Sequence, residues 1–397
     1  MELEKISKHT VQVCDIHLFS QVANLFKPHL VVINHLHDKN RNRIVDEIRR
    51  RGGLCAVLPT EGRPNTLGQL EWAGKAFDTS LCDLYLSWSD EFSKYLSTAV
   101  PYSVTGCPRF SFYSTKSNRD EIASFYGLDP NKPIITVASS FPQAKFDGFA
   151  QDFLKQDWDN LGVSKIPGRE DPAKVSHDDK VALDRFMSWI AACIHEHPEY
   201  QFVIKPHPAE DALPWQEFCS QHKATLMLTD YIWNLLAISN LHLARVGCLT
   251  AVEAWMLDVP SVQLECGGDF IDGPTLEAIQ AGIKVKELFG LLDGMADNLY
   301  WAIDAELTSS YIQKWLGDTK NGPQNVAQAL VGLLETKNPQ YAFEFTASDR
   351  IDLNRLLAEH SRQYAVPKPD HLSQFGKTVT LQSVRSWLDK LRSQDGA

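Results

Sequence analysis

A lysine and a histidine stand among prolines directly after a predicted strand. The motif is Lys205-Pro206-His207-Pro208, and the apolar run 201–204 precedes it. Proline fixes its own φ and pushes the residue before it towards extended backbone, so the histidine is held in a stiff turn. A cation and an imidazole at a strand end suit a phosphate or a carboxylate, and His207 can donate a hydrogen bond to a leaving phosphate. The alternative interpretation is a rigid turn with an exposed lysine.

A glycine and a threonine lead into a predicted helix after the run 241–246. Gly247 permits a ligand to approach the backbone closely, and the N–H groups of a helix start bind phosphate well. Thr250 and Glu253 have the spacing of a capping box, in which both side chains satisfy N–H groups at the helix start. Glu253 also suits a ribose hydroxyl, and one carboxylate cannot serve both roles fully. A capped helix and a phosphate site are therefore alternatives.

Two serines and an aspartate follow other predicted strands. Ser139 and Ser140 end the run 134–138, where their hydroxyls either contact a phosphate or form a polar turn. Asp230 follows the run 225–228 and precedes an apolar helical segment. It is either the N-cap of that helix or a base or nucleophile aimed at an anomeric carbon. The sequence leaves both alternatives open in each case.

An acidic turn ends a strand nearer the N-terminus. Pro59-Thr60-Glu61-Gly62 follows the run 54–58, and Glu61 can activate an acceptor hydroxyl there as a general base. A solvated turn in which Gly62 supplies unusual dihedral angles is the alternative. A second polar group follows the run 30–34, and a mixed polar loop is its simpler explanation: His35, His37, Asp38 and Lys39.

Strands and helices that alternate along the chain must position these residues. A first series of β-rich runs lies at 10–14, 30–34, 54–58, 83–88 and 101–105, with helical patterns at 44–51 and 89–96. A second series lies at 134–138, 201–204, 225–228, 241–246 and 261–264, with a helix at 176–195. This alternation predicts mostly parallel sheets, whose ligands bind beyond the carboxyl ends of the strands. Residues 142–171 lack sustained periodicity, which predicts a long functional loop that contacts an acceptor.

Length, charge and cysteine pattern limit the class of protein. The 397 residues exceed the size of one core, so we expect two domains, 1–128 and 129–340. A helical segment, 341–397, with a helix at 380–392, is expected to pack back on the first domain. The net charge of -11 argues against nucleic-acid binding, and no run is long enough to span a membrane. Eight scattered cysteines without a C-x-x-C pair favour a reducing compartment. The sequence contains no H-E-x-x-H, G-x-G-x-x-G or P-loop motif, which disfavours a metal site, a dinucleotide oxidoreductase and a P-loop enzyme.

Four segments, in this order, resemble the bacterial surface and capsular polysaccharide biosynthesis proteins. They are Pro59-Thr60-Glu61-Gly62, Thr105-Gly106-Cys107-Pro108-Arg109-Phe110, Lys205-Pro206-His207-Pro208 and the segment 247–254, and the likeness covers most of residues 30–265. The resemblance implies the GT-B glycosyltransferase fold, an α/β fold in which two Rossmann-like domains with parallel sheets face an interdomain cleft. Within this group the chain is most similar to the retaining β-Kdo transferases, which use CMP-Kdo.

The resemblance also implies roles for the strand-end residues. His207 and Lys205 bind the CMP phosphate, and Glu253 meets the ribose. The residues that help to hold the phosphate are Ser139, Ser140 and Thr250, beside Gly247. The carboxylate of the sugar needs a cationic or amide partner, for which Arg245 is the candidate unless it pairs with an acidic neighbour.

Catalysis is implied for two carboxylates. In bacterial sialyltransferases an acidic pair before a glycine supplies the base, and Thr60 replaces the first acid here, which leaves Glu61. Asp230 is the candidate nucleophile for a covalent sugar intermediate in a retaining double displacement. CMP already carries its phosphate, so neither a metal nor another cofactor is required, and CMP is the product.

The implied partners are the nucleotide-sugar donor and a lipid-linked or nascent polysaccharide acceptor, either the O-antigen of lipopolysaccharide or a capsule. The expected location is the cytoplasm, with peripheral association at the inner face of the inner membrane. Other domains of a longer enzyme are further possible partners. Two alternatives stay open: a polyol-phosphate transferase that uses CDP-glycerol, since teichoic-acid enzymes carry a similar Lys-Pro-His-Pro turn, and a non-catalytic nucleotide-binding module.

Overall fold

The computed structural model describes residues 11–14, 18–60, 67–111, 113, 118–228, 231–264, 266–267, 305–339, 351–352 and 354–356. Within these ranges the chain folds into two parallel sheets that helices cover. The described helices include none that is long and apolar enough to cross a membrane.

The first sheet contains four parallel strands in sequential order. They are β1 (Leu30–Ile33), β2 (Leu54–Val57), β3 (Leu84–Ser87) and β4 (Tyr102–Val104). This sheet belongs to the first half of the protein, which also contains the helices α1 (Phe19–Phe26), α2 (Lys39–Arg50), α3 (Leu67–Lys75) and α4 (Asp90–Ser93). Helix α2 begins where the Asp38 carboxylate accepts hydrogen bonds from the N–H groups of Asn40 and Arg41, which satisfies two donors at the helix start.

Two helices that follow the second sheet in the sequence complete the first half. They are α11 (Ala305–Leu316) and α12 (Gly322–Lys337). Because side chains alternate across a strand, Ala56 and Leu86 point to the face opposite the main core of this half. Helix α12 covers that face with Val326, Leu330 and Leu333, whose spacing forms one apolar stripe. Both helices lie within the predicted second domain, 129–340, yet they pack against the first half.

The second sheet contains five parallel strands in the order β7-β6-β5-β8-β9. They are β5 (Ile134–Ala138), β6 (Gln201–Lys205), β7 (Thr225–Leu226), β8 (Leu241–Arg245) and β9 (Ser261–Leu264). The helices are α5 (Arg119–Phe125), α6 (Gln151–Leu161), α7 (Pro172–Glu196), α8 (Leu213–His222), α9 (Ile232–Leu236) and α10 (Thr250–Trp255). The chain winds outwards in both directions from β5, so the strand order reverses between β5 and β8. This reversal is a topological switch point, where open α/β sheets bind ligands.

The predicted α/β fold with two parallel sheets is confirmed. Two local predictions are wrong. Residues 11–14 form no strand, and the predicted loop 142–171 contains the helix α6. That helix escaped detection because only Leu154 and Trp158 are buried, and polar residues hide so narrow a stripe. The predicted helix 380–392 lies outside the described residues.

Candidate functional site

Three strand ends meet at the switch point of the second sheet. In the pairing register, Ala138 at the end of β5 lies opposite Lys205 of β6 and Ala244 of β8. The residues that follow each of these three strands therefore lie at one edge of the sheet. This edge brings together the predicted groups Ser139 and Ser140, Lys205 to His207, and Gly247 to Thr250.

The turn after β6 is internally braced. Nδ1 of His207 accepts a hydrogen bond from the N–H of Ala209 at 3.1 Å, and the carbonyl of His207 accepts one from Glu210 at 2.9 Å. An imidazole that accepts at Nδ1 carries its proton on Nε2. Lys205 is buried, with Nζ at 3.4 Å from the Pro206 carbonyl, so the alternative of an exposed lysine is wrong.

A carboxylate that the sequence did not reveal fastens this turn to β5. Glu210 accepts hydrogen bonds from the hydroxyl of Ser139 at 2.7 Å, the N–H of Phe141 at 2.7 Å and the indole of Trp215 at 2.8 Å. Burial raises the pKa of Glu210, while these hydrogen bonds act in the opposite direction. The Ser139 hydroxyl therefore already donates to a carboxylate. No pattern in the sequence distinguishes Glu210 from an ordinary turn residue.

Arg245, at the end of β8, lies in an internal ion pair. Its Nη1 is 2.5 Å from Oδ1 of Asp179 and donates to the Ser140 carbonyl at 2.8 Å, and its guanidinium lies 4.4 Å from the centre of the Phe141 ring. The two charged side chains are 4% and 0% exposed. Of the two roles expected for Arg245, the structure has the acidic neighbour and not an open cation for a sugar carboxylate. The sequence does not indicate Asp179 as this partner, because it lies on α7, 66 residues before Arg245 in the chain.

The start of α10 differs from the predicted capping box. Leu249 is the N-cap without a side-chain hydrogen bond, and Thr250 is already inside the helix, with Oγ1 at 3.0 Å from Sγ of Cys248. Gly247 has a φ of +83°, which favours glycine, and its N–H donates to the side chain of Gln263 at 2.9 Å. The capping box is wrong because the Glu253 carboxylate is used elsewhere.

Glu253 instead connects the two halves of the protein. Its Oε1 is 2.5 Å from Nη2 of Arg109, and its Oε2 accepts from the hydroxyl of Tyr113 at 2.6 Å. Burial raises the pKa of Tyr113, and the Glu253 carboxylate adds to this effect. The ring of Tyr113 also lies 6.2 Å from that of Trp233 in α9. The predicted ribose contact of Glu253 stays a prediction.

Histidines of the first half form a second polar group beside α6. His37 stacks on Trp72 at 3.9 Å, and its Nε2 is 3.1 Å from the Trp72 carbonyl. Burial lowers the pKa of His37 and, together with the Arg41 charge, lowers that of His35 to about 3. The indole of Trp72 donates to the carbonyl of Leu161 at 3.0 Å. The region predicted to be an acceptor loop therefore contacts the first half.

The two predicted catalytic carboxylates, Glu61 and Asp230, lie outside the described residues. Across the ranges that are described, no group of three or more histidine, cysteine, aspartate or glutamate residues could hold a metal ion.

Neither a protein-family model nor a curated protein matches the chain. Among solved structures it is similar to UDP-GlcNAc 2-epimerase from Neisseria meningitidis bound to UDP-GlcNAc, with 15% identity over 81% of this chain and 80% of that one, at a TM-score of 0.46. It is similar to the S. aureus MnaA–UDP co-structure, with 12% identity over 85% of this chain and 84% of that one, at a TM-score of 0.44. It is also similar to the wall teichoic acid polymerase TagF, with 13% identity over 72% of this chain and 70% of that one, at a TM-score of 0.40. These scores are too low to indicate what this chain binds.

Proposed function

We propose that the protein is a glycosyltransferase that binds a nucleotide-activated sugar at the switch point of its second sheet. The observation that carries this proposal is the strand order β7-β6-β5-β8-β9, which gathers the Lys205–His207 turn, the serines after β5 and the turn at Gly247 at one sheet edge. Ligands of doubly wound sheets bind at this place.

His207 is the proposed donor to the leaving phosphate. Because Nδ1 accepts from the Ala209 N–H, the neutral imidazole carries its proton on Nε2. In this tautomer Nε2 can donate a hydrogen bond to an oxyanion. Buried Lys205 places a positive charge beneath the same turn. Ser140, Gly247 and Thr250 line the proposed phosphate site.

The proposed donor is CMP-Kdo, with transfer of Kdo to a growing surface polysaccharide. In this scheme Asp230 forms the covalent sugar adduct, Glu61 activates the acceptor hydroxyl, and CMP is released. Slow hydrolysis of the donor without an acceptor is expected to release CMP.

The test measures CMP release from CMP-Kdo by the full chain. Replacing His207 by alanine should lower the rate about 100-fold, the usual cost of one oxyanion donor. The matched control is His195→Ala, because His195 is exposed at the end of α7, before β6, and so lies at the opposite edge of the sheet. A protein that does not bind CMP would remove the proposal.

The same assay separates the alternatives. Turnover of CDP-glycerol in place of CMP-Kdo would assign a polyol-phosphate transferase. Binding without turnover of either donor would indicate a nucleotide-binding module. Intact-mass measurement after mixing with CMP-Kdo tests the adduct, since an unmodified protein that turns over normally would contradict the Asp230 step.

A further inference from the structure

Arg109 brings an accessible guanidinium from the first half to the edge where the strand ends meet. It lies in the single turn Pro108–Phe110 that follows β4, and 44% of its side chain is exposed. Arg245, the arginine that the sequence favoured for an anion, is 4% exposed and paired with Asp179. Of these two arginines, only Arg109 can contact a ligand without breaking a buried ion pair.

The guanidinium of Arg109 is held in place by a buried carboxylate. Glu253 is 2% exposed, and its two oxygens contact Arg109 and Tyr113 at 2.5 and 2.6 Å. The guanidinium also lies 5.5 Å from the centre of the Phe110 ring. An arginine fixed in this way loses little side-chain entropy on binding, and its planar fork matches phosphate and carboxylate groups.

A series of contacts places Arg109 beside the proposed donor site. Glu253 lies in the first turn of α10, directly after the switch-point turn at Gly247. Strand β8, which precedes that turn, pairs with β5 through Ala244 and Ala138, and the hydroxyl of Ser139, the next residue after Ala138, donates to Glu210 at 2.7 Å. Glu210 belongs to the turn of His207.

Resting on the proposed function, we infer that Arg109 binds an anionic group of the donor and that Glu253 and Tyr113 position it. The shared chemistry is an oxyanion, either the phosphate or the sugar carboxylate. Glu253 then acts through Arg109 and not as a ligand of the ribose. The first half of the protein thus contributes directly to donor binding, which couples donor binding to contact between the two halves.

The experiment measures binding of cytidine, CMP and CMP-Kdo to the full chain by calorimetry. Arg109→Gln should weaken CMP binding about 10- to 100-fold, because a charged hydrogen bond is lost, and leave cytidine binding unchanged. A loss seen with CMP assigns the phosphate, and a loss seen only with CMP-Kdo assigns the carboxylate. Arg109→Lys keeps the charge without the fork, so it should fall between the wild type and the glutamine variant.

Positioning by the buried pair has its own readout. Tyr113→Phe leaves Arg109 and the Glu253 charge in place and removes the hydroxyl that donates to Glu253, so CMP affinity should fall about threefold while cytidine affinity stays constant. The matched control is Arg50→Gln, because Arg50 is exposed, paired with Asp46 and located at the far end of α2. This control should bind all three ligands like the wild type.

The outcomes distinguish the two proposals. If the wild type binds CMP and CMP-Kdo more tightly than cytidine, and Arg109→Gln and Arg109→Lys bind all three ligands as the wild type does, the inference about Arg109 is wrong and the donor site stands. If both variants lose cytidine and CMP affinity equally, Arg109 has only a structural role, which also overturns the inference. If the wild type binds none of the three ligands, the proposed function itself fails.

Discussion

Replacing Asp179 should leave a buried positive charge without its partner at the base of the proposed site. The Arg245–Asp179 pair is 4% and 0% exposed, with a 2.5 Å contact between Nη1 and Oδ1. Oδ2 of Asp179 also accepts a hydrogen bond from the N–H of Gln143 at 3.0 Å. Through these contacts the pair holds the segment that follows β5, including Ser140.

The expected magnitude follows from what each substitution removes. Breaking a buried ion pair from one side costs about 3–5 kcal/mol of unfolding free energy. Asp179→Asn keeps an oxygen that accepts from the Gln143 N–H, so it should lower the unfolding free energy by about 3 kcal/mol. Asp179→Ala also leaves that N–H without its acceptor, so it should lower the unfolding free energy by about 5 kcal/mol. Replacing both partners, Asp179→Leu with Arg245→Met, should restore stability to within about 2 kcal/mol of the wild type, because no unpaired charge remains.

Scanning calorimetry is the appropriate assay because it separates the transitions of two-domain proteins. A loss of about 3 kcal/mol in a domain of roughly 150–250 residues lowers the midpoint of its thermal unfolding transition by about 6–12 °C. The matched control is Asp184→Asn on the same helix, α7, where Asp184 is exposed and pairs with Lys180. That surface pair should change the midpoint by about 2 °C or less.

Two results would refute this reasoning. An Asp179→Asn midpoint as close to the wild type as that of Asp184→Asn would mean that the charge of Arg245 is well solvated or otherwise compensated. A double variant less stable than Asp179→Asn would mean that the pair stabilises the fold by more than its desolvation costs.

Three further predictions concern other contacts. Gly106→Ala should lower the unfolding free energy by more than about 2 kcal/mol, because φ is +76° and a Cβ would lie 2.0 Å from the Asp318 carbonyl oxygen. Gly127 has a φ of +69° but open space around it, so Gly127→Ala should lower the unfolding free energy by only about 1 kcal/mol. Thermal unfolding of both variants measures the difference. Burial lowers the pKa of His242 to about 3, below its unfolded value, so the unfolded chain binds the extra proton as the pH falls through 6.5. The unfolding free energy in urea should therefore fall by about 2 kcal/mol between pH 7 and 5 from this group, and His242→Asn should remove that part of the slope; an identical slope would contradict it. Glu210→Gln should weaken CMP binding about 10-fold, measured by calorimetry, because in either orientation the glutamine amide turns its NH2 group towards the N–H of Phe141 or of the Trp215 indole. Unchanged affinity would show that this anchor does not position the site.

The strands were predictable from the sequence because most are short apolar runs bounded by turn residues. The predicted limits of β5 and β9, 134–138 and 261–264, agree with the structure. The position of α12 was not predictable, because its stripe of Val326, Leu330 and Leu333 fits any apolar sheet face. Only the uncovered side of β2 and β3 determines where that helix packs.

The location of the proposed site residues at one sheet edge followed from the sequence, whereas their charge partners did not. Parallel strands bring their carboxyl ends to one edge, so Ser139, Lys205 and Gly247 were expected to lie close together whatever the loops do. Whether an arginine at that edge binds a ligand depends on the depth of its carboxylate partner, and Arg245 and Arg109 meet carboxylates 66 and 144 residues away. Both arginines are paired, so pairing alone does not separate a structural arginine from a binding one. Burial separates them, because a guanidinium enclosed with its partner has no surface left for a ligand. The side chain of Arg109 is 44% exposed and therefore keeps surface that a ligand can reach.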